Sequence, residues 1–169
     1  MTLYRRPYVE SSVFVAWIKG ETKGKDDVKK IFDSIVDAAS EGAFPIVTSS
    51  LTLAEVYKKK NEEPLTDEQD ASLLPYFREN YIVLVELDRD TAERANELCR
   101  THKSDGTVPA LRPNDAVHIA SAEKAGCDIV LSYDKHLLNQ TELKIPVRHP
   151  EKLEKTVPAK ELTGAQEPL

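Results

Sequence analysis

The chain has 169 residues, 40% of them apolar and 31% charged, with a formal net charge of −6. That length suits a single domain burying roughly 70% of its unfolded surface, and the acidic balance argues against a protein that coats nucleic acid through a diffuse positive field. No apolar run approaches the ~20 residues of a membrane span, and the start "MTLYRRPYVE" runs into Glu10, Ser11 and Ser12 too early for a secretory signal. The two cysteines, Cys99 and Cys127, lack C-x-x-C or zinc spacing. They read as small buried apolar residues, and a reduced, cytoplasmic protein is the expectation.

The first element, "YVES" (8–11), reads as a short strand, with an apolar helix-like run after it. "KDDVKKIFDSIVDAASEG" sets Val28, Ile31, Phe32, Ile35, Val36 and Ala39 at helical spacing and stops at Gly42. "FPIVTSS" is a second strand and "SLTLAEVYKKK" the helix behind it. "NEEPLTDEQD" opens a further helix, capped by Thr66 or Asp67, with Leu73, Leu74 and Phe77 expected inside. "YIVLVEL" is the clearest strand, and "DRDTAERANELCRTHK" is helical with Ala92, Ala95, Leu98 and Cys99 on one face. "RPNDAVHIASAEKAG" is a helix opened by Pro113. "CDIVLSYD" is the fourth strand, "KHLLNQ" a short helix and "IPVRH" a last short strand. This alternation predicts an α/β fold, a three-layer α/β/α sandwich with a mainly parallel central sheet. Residues 1–149 form the domain, and residues 150–169, polar and broken by prolines, form a tail outside the core.

In an open parallel α/β sheet, ligands collect beyond the carboxyl ends of the strands. Four acids fall there. Glu10 ends the first strand, Glu55 lies in the helix after the second, Asp115 opens the helix before the fourth, and Asp134 ends the fourth. Three have simpler explanations: Glu55 with Thr52 matches a T-x-x-E capping box, Asp115 favours a helix dipole, and Asp134 caps a short helix. Glu10 has no capping role, and its bland alternative is an ion pair with Arg5 or Arg6. Jointly they mean more, because two like charges ~5 Å apart cost about 3 kcal/mol at an effective dielectric of about 20. Carboxylates that converge without a counter-charge need protonation or a cation, and oxygen ligands suit Mg²⁺ or Mn²⁺.

These residues, in this order, resemble the PIN domains, metal-dependent nucleases of the kind found in VapC-type toxins of toxin–antitoxin pairs. The resemblance runs from about Tyr8 to Val147 and rests on "YVESSVFVAW", "SSLTLAEVYK" and "RPNDAVHIASAEKAGCDIVLSYD". It implies an acidic centre of Glu10, Glu55, Asp115 and Asp134 holding Mg²⁺ or Mn²⁺, with one or two ions left open. Ser12 and Ser132 would be neighbouring hydroxyls that orient ligands or water. It further implies hydrolysis of phosphodiester bonds in single-stranded or structured RNA, a small antitoxin as partner, and a homodimer. The family normally carries aspartate where this chain has Glu10; the extra methylene moves the carboxylate by up to ~1.5 Å. The alternative is a catalytically weakened PIN-like module that binds RNA or protein.

An acidic centre must still attract a polyanion, and Lys58, Lys59, Arg112 and Lys135 are the candidate phosphate contacts, although charge runs are commonly solvated faces. His118 lies one turn after Asp115 on the same helix face. It either lines the pocket or is a hydrogen-bonded core histidine. Trp17, Tyr57 and Tyr76 read as packing residues. There is no G-x-G-x-x-G, P-loop or G-x-S-x-G, and aspartyl-phosphate chemistry lacks its strand-end aspartate.

Overall fold

Along the chain of this computed structural model, which describes residues 4–57 and 62–153, the elements alternate as expected, with one addition. They are β1 (Pro7–Val9), α1 (Ser11–Ile18), β2 (Thr22–Lys23), β3 (Asp26–Asp27), α2 (Val28–Ser40), β4 (Ile46–Ser49), α3 (Ser50–Glu55) and α4 (Asp67–Leu73). A 3-10 turn (Leu74–Arg78) follows, then β5 (Ile82–Val85), α5 (Arg89–Thr101), α6 (Pro113–Lys124), β6 (Ile129–Leu131), α7 (Lys135–Leu138) and β7 (Val147–Arg148). The five-stranded sheet has the order β5-β4-β1-β6-β7, and every pairing in it is parallel.

Strand alternation divides the core between the two faces of that sheet. Val9, Ile46, Ile129 and Leu131 pack with Val13 and Phe14 of α1 and Phe32 and Ile35 of α2. Tyr8, Val47 and Val130, which are register partners across β1, face Ala95 and Leu98 of α5 and Ile119 of α6. With both faces covered, β1, β4 and β6 bury every residue, as sheets of this kind require. Each large aliphatic side chain so buried contributes roughly 1.5–3 kcal/mol. The first core is aromatic as well: Trp17 meets Phe32 and Tyr76 edge-on at 5.1 and 4.6 Å, and its indole N–H donates to Asp33 at 2.8 Å.

Several local features depart from the sequence reading. Ser11 begins α1 instead of ending a strand, because Glu10 is where the sheet hands over to the helix. The Glu10 N–H makes the ladder bond to Leu131 O at 3.0 Å, and its carbonyl accepts the first helical bond from Val13 N–H at 3.0 Å. β2 and β3 form a small antiparallel ribbon turned by Gly24 at φ +66°. Leu74 is 39% exposed, because Pro75 breaks the helix after Leu73 and rotates the next turn out of register. After residue 149 the chain first lies against the domain: the Glu151 N–H donates to the Tyr4 hydroxyl at 3.1 Å and the Leu153 N–H to Ser34 Oγ at 3.0 Å. The rest of the expected tail, and Lys58 and Lys59, lie outside the described residues. No helix among the described residues is long and apolar enough to cross a membrane.

Candidate active site

Glu10 is 5% exposed and meets no arginine. Arg5 and Arg6 instead point their backbone N–H groups at Asp128, at 3.1 and 2.8 Å. The Glu10 carboxylate is held by three serines. Ser11 Oγ donates to Oε1 at 2.5 Å, Ser132 Oγ donates to Oε2 at 2.9 Å, and Ser12 Oγ makes a close contact with Oε2. The direction of two of these bonds is set by the backbone. Ser12 Oγ accepts the Tyr133 N–H and Ser132 Oγ accepts the Asp134 N–H, each at 2.9 Å. With its oxygen so engaged, each hydroxyl turns its one proton towards the carboxylate. Ser12 and Ser132 therefore lock the β1–α1 turn to the β6–α7 turn.

Glu55 closes α3 and reaches across to α6. Its Oε1 accepts from Asn114 Nδ2 at 3.0 Å and its Oε2 from His118 Nε2 at 2.6 Å. The expected Thr52–Glu55 capping box is absent: Ser49 caps α3 through the Leu51 N–H, and the Thr52 hydroxyl bonds Thr48 at 2.8 Å. Burial disfavours charge on Glu55. The bond and charge of His118, helped by Ser11 and Asn114, outweigh it and hold the carboxyl below its ordinary range. His118 is 1% exposed, and its other nitrogen, Nδ1, lies 2.7 Å from the Tyr8 hydroxyl.

Asp115 and Asp134 share a guanidinium. Arg112 Nε and Nη2 meet the Asp115 carboxylate at 2.7 and 3.1 Å, and Nη2 also meets Asp134 at 2.5 Å. The two acids respond in opposite senses. Burial pushes the Asp115 carboxyl up, and Arg112 offsets this only in part. Burial pushes Asp134 the same way, but Arg112 and the His136 N–H that Asp134 caps prevail, so its pKa is lowered. The simpler roles expected of Asp115 and Asp134 are thus present, Asp115 in the first turn of α6 and Asp134 at the N-cap of α7, and both acids have further partners.

The four acids belong to one centre. Asp115 feels the charges of Asp134 and Glu10, and ligand atoms of Glu10, Glu55 and His118 lie within 4.8 Å of one another. The expectation of carboxylates converging without a counter-charge is corrected by Arg112, whose neighbouring carboxylates hold its guanidinium protonated. One guanidinium against four carboxylates still leaves a net negative centre. Lys135 is exposed beside Asp134. Tyr8, Ser11 and Asn114 went unnoticed in the sequence, and His118 was one of two readings. Their signal lay in the i, i+4 spacing of Asn114 and His118 beside Asp115, which puts two donors on one side of α6.

A family model described as PIN domain matches residues 8–143, and the chain belongs to the PIN-domain family. Solved structures sharing its fold include VapC20 of Mycobacterium tuberculosis, a sarcin–ricin loop cleaving toxin, at TM-score 0.54 and 15% identity over 78% of this chain and 92% of that one. VapBC2 of Rickettsia felis, bound to a DNA fragment from its promoter, matches at TM-score 0.56 and 16% identity over 85% and 98%. A toxin–antitoxin complex from Klebsiella pneumoniae matches at TM-score 0.55 and 14% identity over 87% and 99%. At such identities the likeness is one of fold. No curated protein matches the chain by sequence.

Proposed function

We propose that this protein is a metal-dependent endoribonuclease of the VapC type. The observation that carries the reading is the gathering of Glu10, Glu55, Asp115 and Asp134 at the carboxyl edge of the sheet in a PIN-family chain. The donor set fits a divalent cation. It is rich in carboxylate oxygen, negative beyond what Arg112 compensates, and its Glu10 and Glu55 oxygens are close enough to share an ion. Mg²⁺ or Mn²⁺ would be held by Glu10, Glu55, Asp115 and Asp134, and such an ion lowers the pKa of water and offsets charge on a phosphate. Glu55 has two alternative roles, to complete the metal site or to act through water as a general base. Ser12 and Ser132 keep Glu10 in position. Lys135 approaches the RNA backbone, with Arg112 joining once released from Asp134; Lys58 and Lys59, which follow α3 in sequence and lie outside the described residues, are the other candidate phosphate contacts.

The test is cleavage of a mixed RNA pool with Mg²⁺ or Mn²⁺ titrated in. Metal-dependent cutting by the wild type, and none by a folded Asp115→Asn, is the expected result; full activity in that variant removes the mechanism. Glu10→Asp belongs in the same experiment. Because three serines already meet the longer side chain, shortening it should lower activity, and a more active Glu10→Asp would mean that the glutamate is misplaced.

One observation favours a second reading, a PIN-like module that binds RNA or protein without cutting. Arg112 already compensates Asp115 and Asp134. Tight Mn²⁺ binding with no cleavage of any RNA is the outcome that selects it. VapC20 is a toxin and the Klebsiella structure a toxin–antitoxin complex, which supports a toxin role with an antitoxin partner; a small antitoxin and a homodimer are further parts of the proposal. Growth arrest on expression, relieved by a small co-expressed protein that co-purifies with the chain, tests the role. Light scattering tests the dimer.

A further inference from the structure

We propose that Tyr8 and His118 are positioning residues that fix the Glu55 carboxylate for a divalent cation, an inference that rests on the nuclease reading above. Glu55 is the last residue of α3 and carries three rotatable side-chain bonds, so the helix alone does not aim it. Asn114 and His118 grip it from α6, one donor on each oxygen. A carboxylate held at both oxygens is fixed in its plane, and its remaining lone pairs are left for the side facing Glu10.

Hydrogen placement follows from the partners. An ionised carboxylate only accepts, so His118 Nε2 must carry the hydrogen in its 2.6 Å bond to Glu55. Tyr8 is fully buried on β1, and a phenol there keeps its proton at neutral pH. Its hydroxyl lies 2.7 Å from Nδ1, and because a hydroxyl can accept as well as donate, this contact fixes the orientation of the ring whether or not Nδ1 carries a hydrogen. The nitrogen nearest the acids is therefore occupied as a donor. His118 acts through Glu55 and is not itself a ligand.

The chain Tyr8 to His118 to Glu55 runs from the middle of the sheet to the acidic centre. Tyr8 stands two residues before Glu10, on the same face of the strand extension. His118 sits in a helix whose buried residues include Ala116, Ile119, Ala120 and Ala122 beside the polar Asp115 and Ser121. Packing alone would be served by an apolar residue. A buried imidazole is tolerated only because both of its nitrogens are bonded.

The experiment uses the full chain and three variants, Tyr8→Phe, His118→Leu and His118→Gln, with folding followed by thermal melting. Mn²⁺ affinity is read by EPR without RNA, and kcat and KM are read separately on a cleaved RNA. His118→Leu is expected to lose on the order of 10–100-fold in Mn²⁺ affinity or kcat with KM unchanged, the usual effect of removing a partner that orients a ligand. His118→Gln, whose amide retains a donor, should recover most of that loss, and Tyr8→Phe should show a smaller one. A packing role predicts the reverse order, with leucine at least as good as glutamine, and that order overturns the proposal. If His118→Leu does not fold, wild-type Mn²⁺ affinity and kcat in Tyr8→Phe overturn it instead. A wild type that binds Mn²⁺ yet cuts no RNA defeats the nuclease reading while the EPR series still decides the positioning role. A wild type that binds no Mn²⁺ overturns both.

Discussion

Asp115 and Asp134 share a guanidinium, whereas Glu10 and Glu55 are held by hydroxyls, an amide and an imidazole. The first pair is charge-compensated from within the chain. Its geometry depends on a long side chain that is 44% exposed. The second pair is oriented at every contact, and its compensation comes from His118, where burial opposes the charged ring but the bond to Glu55 prevails and raises the pKa. The two halves of the centre thus differ in what holds them, a partly exposed arginine in one and buried hydroxyls and a buried imidazole in the other.

The largest effect expected from breaking this division is at Asp115. Asp115→Asn should lower cleavage by about 10²-fold or more and at the same time raise the melting temperature at neutral pH. The sign follows from burial, which lifts the folded pKa of Asp115 above its ordinary value near 3.8. A carboxyl with a raised pKa destabilises the fold at pH above that folded value, and the penalty fades as pH falls towards 3.8. The advantage of Asp115→Asn should therefore shrink on acidification. Asp134, with its lowered pKa, behaves oppositely: its stabilisation is complete above its ordinary value and is lost as pH falls through the lower folded one. Asp134→Asn should lower the neutral-pH melting temperature, and melting curves of both variants across pH 3–7 would check the pair of signs.

Next in size is Ser132→Ala. It removes a donor from Glu10 and orphans the Asp134 N–H, a loss of about 1–3 kcal/mol in chemical denaturation. Arg112→Gln should be milder in stability, about 1 kcal/mol once solvent screening is counted, but it separates the two halves most sharply. Releasing Asp115 and Asp134 should tighten Mn²⁺ binding by calorimetry; weaker binding would make Arg112 part of the cation site and not its competitor. Smallest is Lys135→Ala, for which a shallower dependence of RNA affinity on salt, by a slope of about one, is expected.

The sheet was legible because its strands are continuous β-branched runs ending in turn residues, and α2 and α5 because their apolar spacing is regular. Thr66 was recognisable as a cap and forms a complete capping box with Gln69. The β2–β3 ribbon was not legible, since two-residue strands offer no alternation to detect. Leu74 was misplaced because apolar spacing was read through Pro75. In the candidate site the acids stood out by position at strand ends, but what holds them did not. Tyr8 looks like any core residue of a central strand. Arg112 looks like a surface charge, and only the fold of the α6 entrance turns it onto two carboxylates. Partners separated by 59 to 122 positions, such as Asn114 with Glu55 or Ser132 with Glu10, leave no local pattern to read.

The serine bridge between the two turns has a consequence for when the chain acquires its chemistry. Ser132 reaches Glu10, and Ser12 the Tyr133 N–H, only after β1 has docked beside β6, a union of segments far apart in the chain. A nascent or half-unfolded chain therefore carries the acids without the pocket. The centre is created and dismantled together with its sheet, so its chemistry belongs to the folded domain alone.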